Sequence, residues 1–478
     1  MSLDRLSVLG GTYNDPAAGS ARVRFRRALT LTLMTLVMPG SAQLVMGNKR
    51  LGRMAIRVWL GAITVVVLTL LVGLVSRTSL FSVMTNPFLT SIFRLLLMAA
   101  AILWVGLLLD AWRLGAPLDL RRGHFLTMTG LNAGLCCVTA GVLFFGAHIL
   151  SVQNNFIGAV FAAETVSQPH DGRYNVLLLG GDSGKGRDGL RPDSLTVASI
   201  DQDTGRTVLV GLPRNLQDIP FPAGSVMDKE WPDGFNCDDC YLNSINTWAN
   251  DNAKLFDTKA PGLGATKSAV EEITGLKINY YALVNMHGFA KLVDAVGGVT
   301  INVKERTAIG GIGSPIRGYI EAGKQKLSGD RTLWYSRSRI QNDDFSRMGR
   351  QKCVMNAMLQ QLSPQKVLFN VEKIAESSRA LLSTDIPAKD LDVFMDLALK
   401  ARGEKVSTVS LVPPVIYTGN PDFKKIKRII GDAVAKSEGT KTSSGGLLAA
   451  ELKPVRSPAE SDKDPLVANA TDDLAKVC

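Results

Sequence analysis

Histidine is nearly absent from the polar part of this 478-residue chain: of four in all, only His170 and His287 fall beyond residue 150. That argues against a histidine-ligated metal centre. It argues equally against a serine–histidine hydrolase, since Ser183 lacks the Gly-x-Ser-x-Gly frame that presents such a nucleophile. Aromatic residues make up 6% of the chain, too few for a surface that stacks nucleobases. A complete phosphate-binding P-loop is also missing: in the run GGDSGKG the spacing to Gly-Lys is one residue short, and Gly186 stands where a hydroxyl is needed. Runs long and apolar enough to cross a membrane are confined to the first 150 residues.

Those runs predict spans at about 54–75, 92–112 and 126–150, preceded by a shorter run, 28–46, broken by Pro39-Gly40 and carrying Ser41 and Gln43. Basic residues orient them. Arg22, Arg24, Arg26 and Arg27 precede the first run and Lys49, Arg50 and Arg53 follow it, so a full span would put one cluster on the wrong side. A re-entrant or interfacial segment keeps both clusters cytoplasmic. The 77–94 loop is poor in positive charge and reads as external, whereas Arg113, Arg121 and Arg122 read as internal. Residues 1–27 are thus expected to be a cytoplasmic basic N-terminus and 28–150 a multi-pass module of the cytoplasmic membrane, with residue 151 onward extracytoplasmic. The first apolar run has no small-residue cleavage site before Lys49 and does not read as a cleaved signal peptide. The net charge of +11 is largely accounted for by these topology signals, and no nucleic-acid partner is expected. A basic patch on the outer part would still concentrate an anionic substrate.

Of six cysteines, Cys136 and Cys137 lie in the last span and read as small apolar residues. Cys237, Cys240, Cys353 and Cys478 fall on the side where disulfides persist. Cys237-Asp-Asp-Cys240 lacks a second pair with zinc-ligand spacing, so a disulfide is expected, either local or from one of the pair to Cys353. Four cysteines permit three pairings, and spacing does not choose among them.

After a polar stalk at 151–173, short β-rich runs at 174–179, 195–201 and 206–212 are followed by a helical pattern at 265–274, a strand at 280–284, a helix at 289–296 and a strand at 299–303. Helical patterns then recur at 328–335, 347–362, 364–378 and 388–401, and a strand at 406–412 closes the series. The alternation indicates an α/β domain over 174–429 with a central mixed sheet flanked by helices. Residues 430–478 lack sustained periodicity and read as a flexible tail.

Three segments of this domain carry chemistry: GGDSGKGRDGLRPDS at 180–194, GLPRN at 211–215 and YSRSRIQNDDFSRMGRQ at 335–351. Arg191, Arg214, Arg337, Arg339, Arg347 and Arg350 are permanently charged forks that match phosphate oxygens, and Asp182, Asp193 and Asp344 are hard ligands for a divalent cation. Pyrophosphate held with magnesium suits that pairing. Arg337 and Arg339 share a face if the backbone is extended there. Asp344, Arg347 and Gln351 share a helix face, at whose start Asp344 can cap the helix and pair with Arg347.

With NVLLLGGDSG, RPDSLTVASID and GLKINYYALVNMHGFAKLVDAVGGV, these segments resemble, in order and spacing over residues 174–362, the LytR-CpsA-Psr family of cell-wall glycopolymer transferases. The resemblance implies metal or pyrophosphate contact at Asp182 and Asp193, and pyrophosphate binding at Arg214 and Arg337 with Arg191, Arg339, Arg347, Arg350 and Gln351. It matches Asn243 and Asn246 less firmly. Pro192 and Ser194 replace a Thr-Asp-Thr-like run, and Asn215 stands where the family has Asp. The implied activity moves a glycopolymer from a polyprenyl pyrophosphate carrier in the membrane lipid onto a peptidoglycan sugar hydroxyl, with magnesium or another divalent cation such as manganese. The alternatives are a polyprenyl pyrophosphate phosphohydrolase and a non-catalytic binder of wall polymer.

Overall fold

The computed structural model describes residues 16–75, 82–182, 191–311, 314–340, 343–361, 382–439 and 469–478. The helix expected at 364–378 lies outside them. The chain divides into two compact units, Met1–Ser151 and Val152–Cys478.

In the first unit α1 (Pro16–Val37) and α2 (Ser41–Met46) are followed by α3 (Lys49–Val75), α4 (Pro87–Leu114) and the greater part of α5 (Arg122–Val160), whose last nine residues belong to the second. The last three are long and apolar enough to cross a membrane. Pro39 brings no N–H for the carbonyl of Thr35, which instead accepts the Trp104 indole N–H at 3.2 Å. Gly40 then turns the chain at φ +95°, where a Cβ would fall 2.7 Å from Ala55 Cβ. Beyond the turn the Gln43 amide donates to the Leu107 carbonyl at 2.9 Å and the Asp110 carboxylate at 3.1 Å. A Cβ on Gly115 would lie 3.0 Å from Ala28 Cβ, and one on Gly47 the same distance from Leu114. The segment therefore climbs α4 from Gly115 to Trp104 and descends again to Leu114. Residues 28–46 thus form a helical hairpin laid along α4. α5 continues ten residues past the expected span, because Ile157 and Val160 are buried. The stalk expected at 151–173 is accordingly shortened to residues 161–172, between the end of α5 and the first strand.

The second unit is built on a seven-stranded mixed sheet. Its central strands are β1 (Arg173–Asp182), β2 (Arg191–Asp201) and β3 (Thr207–Leu212), antiparallel in sequence order; β4 (Tyr280–Asn285) runs parallel to β1, and β10 (Val406–Ser410) parallel to β3. The edges are β9 (Leu382–Thr384) and β11 (Ala470–Thr471). Between β4 and β9 run α8 (Met286–Ala295), strands β5 to β8 (Val299–Val303, Thr307–Ile309, Gly318–Ile320, Gly323–Leu327) in two small sheets, α9 (Gly329–Arg337) and α10 (Asp344–Gln361).

Both faces of the sheet are buried, as the period-2 side-chain alternation of Val176-Leu177-Leu178-Leu179 requires. Leu177 and Leu179 pack into the main core with α6 (Ile245–Asp251), α7 (Pro261–Thr274) and α12 (Phe423–Ser437), whereas Leu178 faces Cys353 and Leu474. The helix expected from 388 begins as α11 (Leu391–Ala401) after a 3-10 turn. The tail reading of 430–478 is corrected at its two ends, residues 440–468 lying outside the described ones: α12 runs on to Ser437, and Ala470–Thr471 pair with β10 before α13 (Leu474–Val477), whose Leu474 is completely buried. Two disulfides form, the local Cys237–Cys240 and Cys353–Cys478, so Cys353 pairs with the distant cysteine rather than with either of the pair at 237 and 240.

Candidate functional site

A cleft of about 280 Å³ opens between β1, β2 and β4 on one side and α8, α9 and α10 on the other. Its inner wall is apolar, formed by Leu178, Ala282, Phe289, Val354 and Met358 among others, and at its other end stand Asp193, Arg337, Arg339, Arg347 and Gln351.

The backbone aims Asp193 into this end. In the β1–β2 ladder Gly180 pairs with Ser194 and Gly181 with Pro192, so Asp193 is the extra residue of a bulge. A bulge tolerates a proline, which has no N–H for the ladder, and re-aims the neighbouring side chain. The Pro192 departure is thus compatible with the site. Asp182 ends β1 opposite Arg191; its side chain lies outside the described residues. Arg191 is exposed and does not line the cleft.

Arg214, two residues beyond β3, donates to Asp193 at 2.5 Å and lies 3.9 Å from Asp344. Asp344 also pairs with Arg347 at 2.9 Å and Arg339 at 3.4 Å. Three guanidinium groups from two distant parts of the chain therefore converge on one carboxylate. The helix cap itself is Asp343, which accepts the Ser346 N–H at 2.8 Å and leaves Asp344 free for this role. Arg347 is 3% exposed, and its Nε is buried without a partner among the described residues. Burial lowers its pKa and Asp344 opposes that shift. An unmet donor on a buried cation beside an open cleft is an anion site in waiting.

Arg337 ends α9 rather than lying on an extended run, but Ser338 is extended, so both Arg337 and Arg339 reach the cleft. The Arg337 guanidinium rests on Trp334, 4.9 Å from the ring centroid. Arg350 departs from expectation. It is buried and donates to the carbonyls of Tyr335 and Ser338, bracing the segment that carries Arg337 and Arg339 instead of lining the cleft. Gln351 accepts from Ser194 Oγ at 3.0 Å and donates to Ser336 at 3.2 Å, joining β2 to α9. Asn243 is buried, and its backbone N–H donates to the Arg214 carbonyl at 3.0 Å, so it supports Arg214 from behind; Asn246 accepts from Asn250 in the core.

Sequence reasoning missed Lys352. It is 1% exposed and donates to Ser410 Oγ and, at 3.5 Å, to Asn469. The signal was Gly211, where a Cβ would stand 3.0 Å from the Lys352 Cε and Nζ. Burial pulls the Lys352 pKa down from near 10.5 to about 7. Between those values the unfolded chain holds a proton that the folded one does not, so this group makes stability rise with pH from about 7 towards 10.5. Lys352→Met is expected to flatten the melting temperature against pH between about 7.5 and 9.5 relative to the parent; unchanged slopes would show that Lys352 stays charged.

For a divalent cation, no group of three or more His, Cys, Asp or Glu that could hold a metal occurs among the described residues. Magnesium needs less, since it binds through one or two carboxylates plus substrate phosphates. Asp193, 35% exposed and beside the arginines, fits that donor set.

The sequence model of the LytR_cpsA_psr family matches residues 152–424. The polyisoprenyl-teichoic acid–peptidoglycan teichoic acid transferase TagU of Enterococcus faecalis is 28% identical over 223 residues, 46% of this chain and 63% of that protein. TagV of Bacillus subtilis, named for the same activity, is 23% identical over 268 residues, 54% and 62% of the two. The chain therefore spans a little over six-tenths of these relatives. Among solved structures, protein gbs0355 of Streptococcus agalactiae aligns at 20% identity and TM-score 0.44, covering 57% of this chain and 90% of that one. TagV of B. subtilis aligns at 21% identity and TM-score 0.40, covering 57% and 100%.

Proposed function

The chain belongs to the LytR-CpsA-Psr family, and from that membership and its cleft we propose that it transfers a glycopolymer from a polyprenyl pyrophosphate carrier to a peptidoglycan hydroxyl. The observation that carries this is the joining of an apolar wall to a cluster of arginines in one cleft. A carrier lipid has that polarity. Its isoprenoid lies along Leu178, Phe289 and Met358 while Arg214, Arg337, Arg339 and Arg347 take the pyrophosphate oxygens. Forks are suited to this because each can hold two oxygens. As pyrophosphate enters, it replaces Asp193 and Asp344 as partner of the arginines, so the site exchanges counter-ions instead of uncovering bare charges.

The acceptor hydroxyl attacks the phosphorus next to the glycan. A new P–O bond forms, the bond to the bridging oxygen breaks, and polyprenyl phosphate leaves with the electron pair. Asp193, released from Arg214, takes the hydroxyl proton. Magnesium, held by Asp193 and Asp182, would neutralise charge on the phosphates. Positioning and electrostatics supply most of the rate in phosphoryl transfer.

The test is product identity after incubating full-length protein with a lipid pyrophosphate-linked glycan and peptidoglycan. Glycan joined to peptidoglycan supports the proposal; free glycan phosphate would make water the acceptor, and unchanged lipid would make the protein a binder. On this reading the second unit is extracytoplasmic. With Cys136 and Cys137 replaced by Ala, a cysteine at Lys324 should react with an impermeant maleimide in intact cells and one at Arg122 should not. The reverse pattern would overturn the topology.

A further inference from the structure

The ten residues Asn469–Cys478 lie outside the segment that the family model matches, yet they grip the helix that carries Arg347. Asn469 is 3% exposed, and its one amide bonds three residues on two elements, Phe345 and Lys352 of α10 and Ser410 of β10. Its Nδ2 donates to the Phe345 carbonyl at 2.7 Å, in the first turn of α10 and next to Asp344. Its Oδ1 accepts from Ser410 Oγ, at the end of β10, at 2.9 Å and from Lys352 at 3.5 Å. Lys352 in turn donates to Ser410, which closes a buried triangle with no carboxylate in it. A second hold is covalent: Cys478 is bonded to Cys353. Phe345 and Cys353 are eight residues apart on α10, about 12 Å along its axis. Between these two holds sit Arg347, Arg350 and Gln351. Leu474, wholly buried against the same cluster as Cys353, and the β11–β10 pairing fix the segment to the sheet.

We infer that residues 469–478 are a positioning clamp for the arginine helix, with Asn469 as its positioning residue. At the start of α10 three guanidinium groups, one of them its own, converge and repel one another whenever Asp344 gives way to a ligand. Such a start needs an external hold. Asn469 supplies it at the residue adjoining Asp344, and the disulfide prevents α10 from sliding along its axis. The clamp touches neither substrate nor cation. Its kinetic consequence rests on the pyrophosphate reading; its mechanical one does not.

Full-length protein in detergent would be compared as parent, Asn469→Ala, Asn469→Asp and Cys478→Ser. Two readouts are taken: hydrogen exchange over residues 344–353, and the thermal shift given by magnesium with inorganic pyrophosphate. Asn469→Ala is expected to speed exchange in 344–353 roughly tenfold, as loss of one net hydrogen bond does, with exchange in β3 unchanged. The pyrophosphate concentration for half-maximal shift should rise about tenfold with it. Asn469→Asp keeps the acceptor for Ser410 and Lys352 but loses the donor to Phe345, and should behave as Ala does. Cys478→Ser should speed exchange mainly near residue 353. Parental exchange in Asn469→Ala would overturn the clamp. Faster exchange with an unaltered pyrophosphate response would reduce the segment to a structural cover and overturn the positioning role. If the parent itself gives no pyrophosphate shift, the substrate reading falls, and exchange alone decides whether the segment holds α10.

Discussion

Replacing Arg214 with Ala is expected to lower kcat/KM for the lipid-linked donor roughly ten- to 150-fold while the protein stays folded, the loss of one charge-assisted contact of about 1.5–3 kcal/mol. The same substitution also strands Asp193, whose counter-ion is Arg214. Arg337→Ala should cost a similar factor for a different reason, since Arg337 has no ion pair among the described residues and is held by stacking on Trp334. Lysine should rescue neither, because a point charge reproduces neither the bidentate fork nor the stacked plane. The measurement is initial rate against donor concentration with magnesium present. Two folded alanine variants running at the parental rate would reduce the arginines to a solvated surface.

Asp344→Asn is expected to destabilise the second unit by about 3–5 kcal/mol, the cost of stranding a buried ion by removing its partner. Arg347 is 3% exposed and relies on Asp344 at 2.9 Å, while Arg339 and Arg214 lose attraction at the same point. A thermal scan should show a drop of several degrees. Magnesium pyrophosphate should recover more of that loss in the variant than it adds to the parent, because the anion restores the missing negative charge. Equal shifts in both proteins would mean that Asp344 does not stand in for substrate.

Much of this architecture was legible because it is written in periods. The β-rich runs at 174–179, 195–201 and 206–212 and the turn residues 203–205 located β1 to β3, and Pro39-Gly40 marked the break between α1 and α2. What escaped depends on single residues whose meaning comes from distant partners. Arg350 shares spacing with Arg347, yet the rotation of α10 turns it onto two carbonyls. Asp193 looked like one of several loop carboxylates; only the ladder shows that it is the extra residue of a bulge. The last ten residues are hidden by the polar stretch before them, since Asn469, Leu474 and Cys478 have no periodicity and acquire a role only against Phe345 and Cys353. Lys352 is read as a surface charge by composition and as a core residue only once Gly211 is seen to make room for it.

On the proposed topology, the helical hairpin at 28–46 has a consequence in the parity of insertion. Three spans are odd, so on the proposed topology the N-terminus and the second unit lie on opposite faces of the bilayer. A fourth would make the count even. Pro39, Gly40 and Gln43 are what keep the 28–46 run from becoming that fourth span: one withholds a helical hydrogen bond, one permits the reversal, and one anchors the returning limb to Asp110. Substituting Leu, Ala and Leu at these three positions would leave a nearly continuous apolar run flanked by arginines at both ends. The translocation machinery would then have to place one basic cluster outside or carry the second unit to the wrong face. On that topology, three residues of this hairpin decide on which side of the membrane the arginine cleft is delivered.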